Sequence, residues 1–168
     1  MTSRVLNRGF TLIELALVTV TIGVLMVAAA PQVQRGWSSI RTEQAAFAIA
    51  QSLRAARVLA ITNQRTSNWL WDREARQVCV GLPQTKRCAE VNPHDRLAKP
   101  RSVPPPIQLT VQPGNGQDVE RISFFPNGTT SQTATLLVSD TDVPRHHIIV
   151  DGPTGVVQTR AGAPPSNP

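Results

Sequence analysis

A run of apolar residues near the N-terminus constrains this chain more than any other feature. Residues 10–30 carry a single charge, the carboxylate of Glu14. As an α-helix the run would be about 31 Å long at ~1.5 Å per residue, which matches the hydrocarbon core of a bilayer. Arg4 and Arg8 precede the run, and this charge bias favours a cytoplasmic N-terminus. The sequence therefore predicts one membrane-spanning helix.

Two ordinary interpretations of this segment compete with an assembly role. A secretory signal has a shorter apolar core followed by small residues, and residues 28–30 are three alanines. A plain membrane anchor is the other interpretation. Glu14 disfavours both, because a carboxylate in an apolar span costs roughly 2.5–3.5 kcal/mol near the helix centre and less near its end. We therefore expect Glu14 to have a partner, either the positive end of the helix or a free amine at Phe10.

The residues GFTLIE, from Gly9 to Glu14, resemble the N-terminal signal of type IV pilins and of type II secretion pseudopilins. The resemblance implies that a membrane prepilin peptidase cleaves between Gly9 and Phe10, so that residues 1–9 form a leader. It also implies N-methylation of Phe10. Glu14 would pair with the N-terminal amine of a neighbouring subunit during assembly. Pro31 stands where the family usually has a proline that kinks the helix.

Behind the apolar run, the helix is predicted to continue over residues 31–64 as an amphipathic segment. Residues 37–64 have apolar side chains at helical spacing, namely Ala46, Ile49, Leu53, Ala56 and Ala60. The polar side chains that lie away from this stripe are Arg41, Gln44, Gln51, Arg54 and Arg65. We interpret them as a solvated helix face rather than a DNA-binding face, because the arginines are sparse.

The remainder of the chain is typical of short strands separated by turns. Strands are predicted over residues 66–71, 77–81, 107–112, 121–125, 133–139, 146–150 and 156–159. Residues 91–106 predict a long loop, and residues 161–168 predict a disordered tail rich in proline. The expected fold is α+β and pilin-like, with the long N-terminal helix packed on antiparallel β-sheet and a β-rich periplasmic domain over residues 65–160.

Two stretches of this domain are similar to the GspH/FimT branch of the pilin-like proteins. They are ISFFPNGTTSQTATLLV and IIVDGPTGVV, and the helix EQAAFAIAQSLRAARVLAITNQR resembles the same branch. GspH pseudopilins tend to carry a phenylalanine–proline–acid–glycine turn, and here Asn127 replaces the acid. FimT-type minor pilins bind DNA through a glycine–arginine–any–arginine motif. The corresponding residues 155–158 read GVVQ, and only Arg160 follows, so DNA is not an expected ligand.

Cys79 and Cys88 are the only cysteines of the chain. With a cytoplasmic N-terminus, they would lie in the oxidising periplasm, where a disulfide is expected. A metal site formed by the two cysteines and His94 is the alternative, but this spacing matches no standard zinc pattern and lacks a fourth ligand.

Two further groups of polar residues are interpreted as structural. His146 and His147 would point to opposite faces of a strand. Asp140 and Asp142 are interpreted as part of a polar turn rather than a calcium loop. No nucleophile, paired-acid, Walker or dinucleotide motif occurs, so we expect neither an enzyme nor a cofactor.

The resemblance implies a minor pseudopilin of the type II secretion system, anchored in the bacterial inner membrane at or near the tip of a periplasmic pseudopilus. Its expected partners are the other minor and major pseudopilins and the prepilin peptidase, with secreted exoproteins as further candidates. The alternative is a FimT- or FimU-like minor pilin that primes a type IV pilus or takes up DNA. A third class, a lone membrane-anchored ligand-binding domain, would retain an uncleaved N-terminus.

Overall fold

The computed structural model describes residues 11–92, 94–114, 120–140 and 143–162. Side chains are described in these ranges except at residues 28–38, 113, 143 and 144. The chain divides into two units, Met1–Ser38 and Ser39–Pro168. The predicted leader and the cleavage site between Gly9 and Phe10 lie outside the described residues.

Helix α1 is assigned over Leu12–Thr62. It ends at Thr62 rather than at the predicted Gln64, because Gln64 has a φ of 52° and so leaves the right-handed helical region. Pro31 lies within the helical residues, and a kink at this proline stays a prediction.

The described residues of the second unit form eight strands in two antiparallel sheets. The strands are β1 (Ser67–Asp72), β2 (Gln77–Gly81), β3 (Arg101–Ser102), β4 (Ile107–Pro113), β5 (Arg121–Phe124), β6 (Ala134–Asp140), β7 (Val143–Val150) and β8 (Val157–Ala161). The first sheet has the order β3-β2-β1-β5, and the second has the order β4-β6-β7-β8. The predicted α+β class, with a helix on antiparallel sheets, is confirmed.

The region predicted as a long loop differs from the expectation. Strand β3 lies within it, and one 3₁₀ turn, Cys88–Glu90, precedes it. Arg76, in the turn between β1 and β2, organises this region. Its main-chain carbonyl accepts a hydrogen bond from Val103 N–H at 2.8 Å, and its guanidinium donates to the carbonyls of Val103 and Ile107. These contacts join residues far apart in sequence, so local composition could not predict them. Strand β8 also reaches Ala161, where the tail was expected to begin.

The predicted apolar stripe of α1 packs against the sheets. Ala46, Ile49, Leu53, Ala56 and Ala60 are all buried. Small alanine side chains allow the helix backbone to approach the strands closely.

Two hydroxyl groups position β1 on α1 within this core. The indole N–H of the buried Trp69 donates to Ser52 Oγ at 2.8 Å, and Ser67 Oγ donates to the Ala56 carbonyl at 2.6 Å. Both hydrogen bonds are buried, so leaving either partner unsatisfied would carry a desolvation cost.

Candidate functional site

The N-terminal end of α1 is capped by Thr11. The backbone N–H of Glu14 donates to Thr11 Oγ1 at 3.3 Å, and the N–H of Leu15 donates to the Thr11 carbonyl at 3.2 Å. Thr11 therefore caps α1. The threonine–any–any–glutamate spacing is that of a capping box, but among the described residues only the threonine half of the box is formed. The cap by Thr11 was not predicted from the sequence, although the threonine stands directly before the first helical residue, where a helix cap is expected.

The Glu14 side chain is exposed, and within the described residues it forms no hydrogen bond or ion pair. Phe10, whose amine is its predicted partner in a neighbouring subunit, lies outside those residues. The carboxylate thus stands at the start of a helix whose dipole favours a negative charge there.

The apolar side chains that follow Glu14 are exposed on every side of the helix. The large ones are Leu15, Leu17, Val18, Val20, Ile22, Val24, Leu25, Met26 and Val27. A helix that is apolar all round is buried in a protein core or a membrane rather than placed in water. This surface therefore requires lipid or other protein chains around it.

The described helical residues contain one segment long and apolar enough for a membrane span by length and composition, Ser39–Thr62, and a shorter apolar segment, Leu12–Val27. Part of the Ser39–Thr62 segment is buried against the sheets. Its high hydropathy is therefore that of a helix that packs in a protein core. The predicted span over residues 10–30 falls partly outside the described side chains, so the length of the apolar surface stays a prediction.

Two glycine turns of the second unit are in direct contact. The first is FPNG at residues 125–128, and the second is DGPTG at residues 151–155. Gly128 has a φ of 85° and Gly155 a φ of 62°, in the left-handed region that favours glycine. A Cβ atom on Gly155 would lie 1.9 Å from the Gly128 carbonyl oxygen, so only glycine permits this approach.

Arg57 of α1 joins both turns to the helix. Its Nε donates to the Gly128 carbonyl at 3.2 Å and its Nη2 donates to the Thr154 carbonyl at 3.0 Å. The planar guanidinium of arginine has several N–H donors and can contact two carbonyls at once, whereas the ammonium of a lysine donates from a single nitrogen. The two motifs that carry the resemblance to GspH therefore have a structural role, because both turns accept hydrogen bonds from α1.

Asn127 fills the position where the family usually has an acid. Its Oδ1 accepts hydrogen bonds from the Thr129 N–H at 3.1 Å and from Thr129 Oγ1 at 2.8 Å. A carboxylate oxygen would accept the same two bonds, so this departure from the family pattern retains the turn.

Arg54 was predicted to lie on a solvated helix face, and this prediction is incomplete. The residue is exposed, but its Nη2 donates to the Val157 carbonyl of β8 at 3.2 Å. Gln51 likewise accepts a hydrogen bond from Arg101 of β3 at 3.2 Å. Sequence periodicity located these side chains on the outer face of α1 but could not identify strand partners that are distant in sequence.

Cys79 and Cys88 form a disulfide. Together with Leu70 they form a second buried cluster, on the side of β1 opposite Trp69. The disulfide joins β2 to the 3₁₀ turn Cys88–Glu90, and the two sulfurs are therefore not metal ligands. In the described part of the chain, no group of three or more potential metal-ligating side chains converges.

A groove of about 570 Å³ lies between the end of α1, strand β2 and the loop that follows it. Arg65, Glu90 and Asp95 contribute charged groups to its rim, and Val80 contributes to its apolar floor. His94 is outside this lining. The carboxylate of Asp95 caps its own loop by accepting the N–H of Leu97 at 3.0 Å. These residues form a concave surface and not a set of convergent reactive groups.

The two histidines lie in β7, as predicted. His147 is buried and its Nδ1 lies 2.9 Å from the Gly162 carbonyl, whereas His146 lines a groove beside α1. Asp140 ends β6, and Asp142 lies outside the described residues.

Comparison with known structures identifies the same fold. The minor pseudopilin EpsH of the Vibrio cholerae type 2 secretion system matches over 74% of this chain and 98% of its own, with 13% identity and a TM-score of 0.58. The type IV minor pilin FimU of Pseudomonas aeruginosa matches over 70% of this chain and 87% of its own, with 16% identity and a TM-score of 0.54. Such identities establish the fold alone.

At the sequence level, a comparison with curated proteins finds no match at a significant level. A profile of the family described as type II transport protein GspH matches residues 45–155, which is more than half of the chain. That range includes the core face of α1, the disulfide, and both glycine turns. The chain therefore belongs to the GspH family of pilin-like structural subunits.

Proposed function

We propose that the chain is a minor pseudopilin of a type II secretion system, at or near the tip of a periplasmic pseudopilus. The GspH family match over residues 45–155 carries this proposal. The exposed apolar segment that precedes this domain supports it, since a filament subunit needs a helix that can leave lipid and pack among other helices.

The N-terminal events belong to the same proposal. A prepilin peptidase cleaves after Gly9, Phe10 becomes the methylated N-terminus, and Glu14 pairs with the amine of a neighbouring subunit. Pro31 kinks the helix between the membrane and the periplasmic domain. Other minor and major pseudopilins are the partners, and the inner membrane is the location before assembly.

A type IV minor pilin is the second candidate. The structural similarity to FimU favours this candidate. The TM-score of 0.54 for FimU is close to the TM-score of 0.58 for EpsH. The absence of arginine from residues 155–158 weighs against a DNA-uptake version of this candidate.

Deletion of the gene that encodes this chain distinguishes the two candidates. Secretion of exoenzymes, twitching motility and natural transformation are measured in parallel in the deletion strain. We expect lost secretion with intact twitching and transformation. Intact secretion with lost piliation or DNA uptake would replace the pseudopilin proposal by the pilin one.

Glu14 provides a sharper prediction within the filament. Glu14→Gln keeps the side chain that a capping box accepts and removes only the charge. We expect incorporation into sheared filaments to fall about tenfold, equivalent to about 1.4 kcal/mol, because the amine of the neighbouring subunit loses its counter-ion. Quantitative immunoblotting of filament and membrane fractions measures this change.

Thr11→Ala is the matched control for Glu14→Gln. It removes the observed cap and keeps the carboxylate, so we expect incorporation close to that of the unaltered chain. Equal loss in the two variants would show that the capping of α1, and not the charge of Glu14, is what assembly requires.

A further inference from the structure

Strand β8 lies at the edge of its sheet, beside β7. Its antiparallel register places Arg160 opposite His147, and the N–H of Gly162 donates to the Arg145 carbonyl at 2.7 Å. Hydrogen-bonded pairs alternate along an antiparallel ladder. Arg160 therefore directs its backbone N–H and carbonyl toward β7, and its two neighbours in β8 direct theirs away from the sheet.

Among the described residues, one contact covers these outward groups. The carbonyl of Val157 accepts a hydrogen bond from Arg54 Nη2 at 3.2 Å. Among the residues that the structure describes, none hydrogen-bonds to the outward backbone groups of Thr159 or Ala161. The edge of β8 thus offers two donors and two acceptors at the spacing of a strand.

A groove of about 520 Å³ lies beside this part of β8, between the strand and α1. Ile40, Glu43 and Phe47 of α1 line it, the two apolar side chains with exposed fractions of 55% and 57%, and residues 159–161 line the opposite side. An open strand edge next to two exposed apolar side chains matches the requirements of strand addition. The backbone of the added strand supplies affinity, and pockets for alternate side chains supply specificity.

The charge on the edge defines the partner further. Arg160 is exposed, and in the described part of the chain its guanidinium hydrogen-bonds to Gln158 Oε1 at 3.3 Å but to no carboxylate. Because side chains alternate between the faces of a strand, a partner residue opposite Arg160 lies on the same face as Arg160. Its two neighbours lie on the face of Thr159 and Ala161, which line the groove with Ile40 and Phe47. Opposite charges on directly opposed residues stabilise a strand pair.

We propose that β8 accepts an extended segment of another polypeptide as a fifth, antiparallel strand of its sheet. The segment has an acidic residue opposite Arg160, flanked by two apolar residues. The backbone groups of these flanking residues pair with Thr159 and Ala161, and their side chains pack against Ile40 and Phe47.

Two occupants from the chain itself fit this edge less well. Two copies paired antiparallel about Arg160 would place the two arginines directly opposite each other, which is destabilising. The chain's own residues 163–168, folded back through a two-residue turn, would set Pro168 opposite Thr159. Proline has no N–H to donate to the Thr159 carbonyl.

The test adds the strand in cis to the full chain in detergent micelles. The chain is extended after Pro168 by a flexible glycine–serine linker of about 15 residues, with a span of about 20 Å, which keeps the strand at high effective concentration. The added strand is Thr-Val-Asp-Val-Thr. Amide hydrogen exchange is read at single residues by fragmentation mass spectrometry. We expect exchange at Thr159 and Ala161 to slow at least tenfold, toward the rate of Ile148 in the sheet interior.

Matched variants isolate the backbone and the charge. Thr159→Pro removes an N–H that faces away from β7, so we expect it to abolish the protection of Ala161, whereas Thr159→Val retains the N–H and the protection. A Thr-Val-Lys-Val-Thr strand should protect the edge less than the aspartate strand, because lysine would oppose Arg160.

Several results would overturn the proposal. They are the absence of protection in the extended chain, equal protection by the lysine strand, or full protection of both amides in the unextended chain. In the last case, a monomeric mass would identify residues 163–168 as the occupant and a dimeric mass would identify a second copy. None of these readouts uses secretion or piliation, so they are independent of the function proposed above.

Discussion

The two units of this chain use helical residues in opposite ways. From Leu12 to Val27 the large apolar side chains are exposed on every side of α1. From Thr42 to Ala60 the buried side chains occupy one face, and the sheets cover it. The second unit therefore covers one apolar face of α1 with its own sheets, whereas the first requires lipid or neighbouring chains.

The two units also differ in whether their charged side chains have hydrogen-bond partners within the chain. In the second unit, Arg54 and Arg57 donate hydrogen bonds to main-chain carbonyls of the sheet and its turns. Glu14 has no such partner among the described residues. Substitutions in the second unit should thus change the free energy of unfolding, and substitutions in the first should change assembly.

The largest effect is expected at Gly155. Gly155→Ala places a Cβ atom 1.9 Å from the Gly128 carbonyl oxygen, so one of the two turns must move. We expect a loss of about 4 kcal/mol in the free energy of unfolding. Urea denaturation of the full chain in micelles, followed by the fluorescence of the buried Trp69 and Trp71, measures it.

Gly162→Ala is the control for that substitution. Gly162 has a φ of 91°, but no atom of the described residues outside its chain neighbours lies within 4 Å of the position that a Cβ atom would take. Only the backbone conformation is therefore penalised, and a cost of about 1–2 kcal/mol is expected. Similar losses at both glycines would mean that the contact between the two turns contributes nothing.

A pair of leucine substitutions tests the comparison of the units directly. Leu53 is fully buried beneath the sheets, and Leu53→Ala should cost about 3 kcal/mol through lost contacts and a cavity. Leu17 is exposed in the first unit, and Leu17→Ala should leave the same urea transition unchanged. A shift of that transition by Leu17→Ala would contradict the energetic independence of the two units.

The disulfide is expected to contribute somewhat less. Cys79 and Cys88 are nine positions apart, and replacing both by serine removes the constraint on the unfolded chain. The entropy of a loop of about ten residues predicts a loss of about 2.7 kcal/mol. Comparison of the urea midpoints of the oxidised chain and the double-serine variant measures this term. An unchanged midpoint would indicate that the second buried cluster holds the loop without the bond.

The smallest effect is expected at Arg57. Arg57→Lys keeps the charge but cannot divide its donors between the Gly128 and Thr154 carbonyls in the same way. We expect a loss of about 1–2 kcal/mol, since the site is only half-buried. Arg41→Lys, at an exposed residue of the same helix, should change the midpoint by less than about 0.5 kcal/mol. Equal effects at the two arginines would exclude a specific role for the contact between Arg57 and the two turns.

Local patterns were sufficient for much of this fold. The 3.6-residue spacing from Ala46 to Ala60 predicted the buried face of α1, because helix periodicity follows directly from backbone geometry. Glycine and proline clusters predicted the turns at residues 125–128 and 151–155. With only two cysteines in the chain, the disulfide had one intramolecular pairing available.

Residues close together in the chain were therefore enough to predict the apolar N-terminal segment, the amphipathic helix, the turn positions and the family resemblance. The strand order in the two sheets, the strand β3 inside a predicted loop, and the carbonyl partners of Arg54 and Arg57 became visible only in the folded chain. The same holds for the position of β8 at the edge of its sheet and for the groove beside it. These features depend on which distant segments meet, and that choice is made by packing of the whole core rather than by any local pattern.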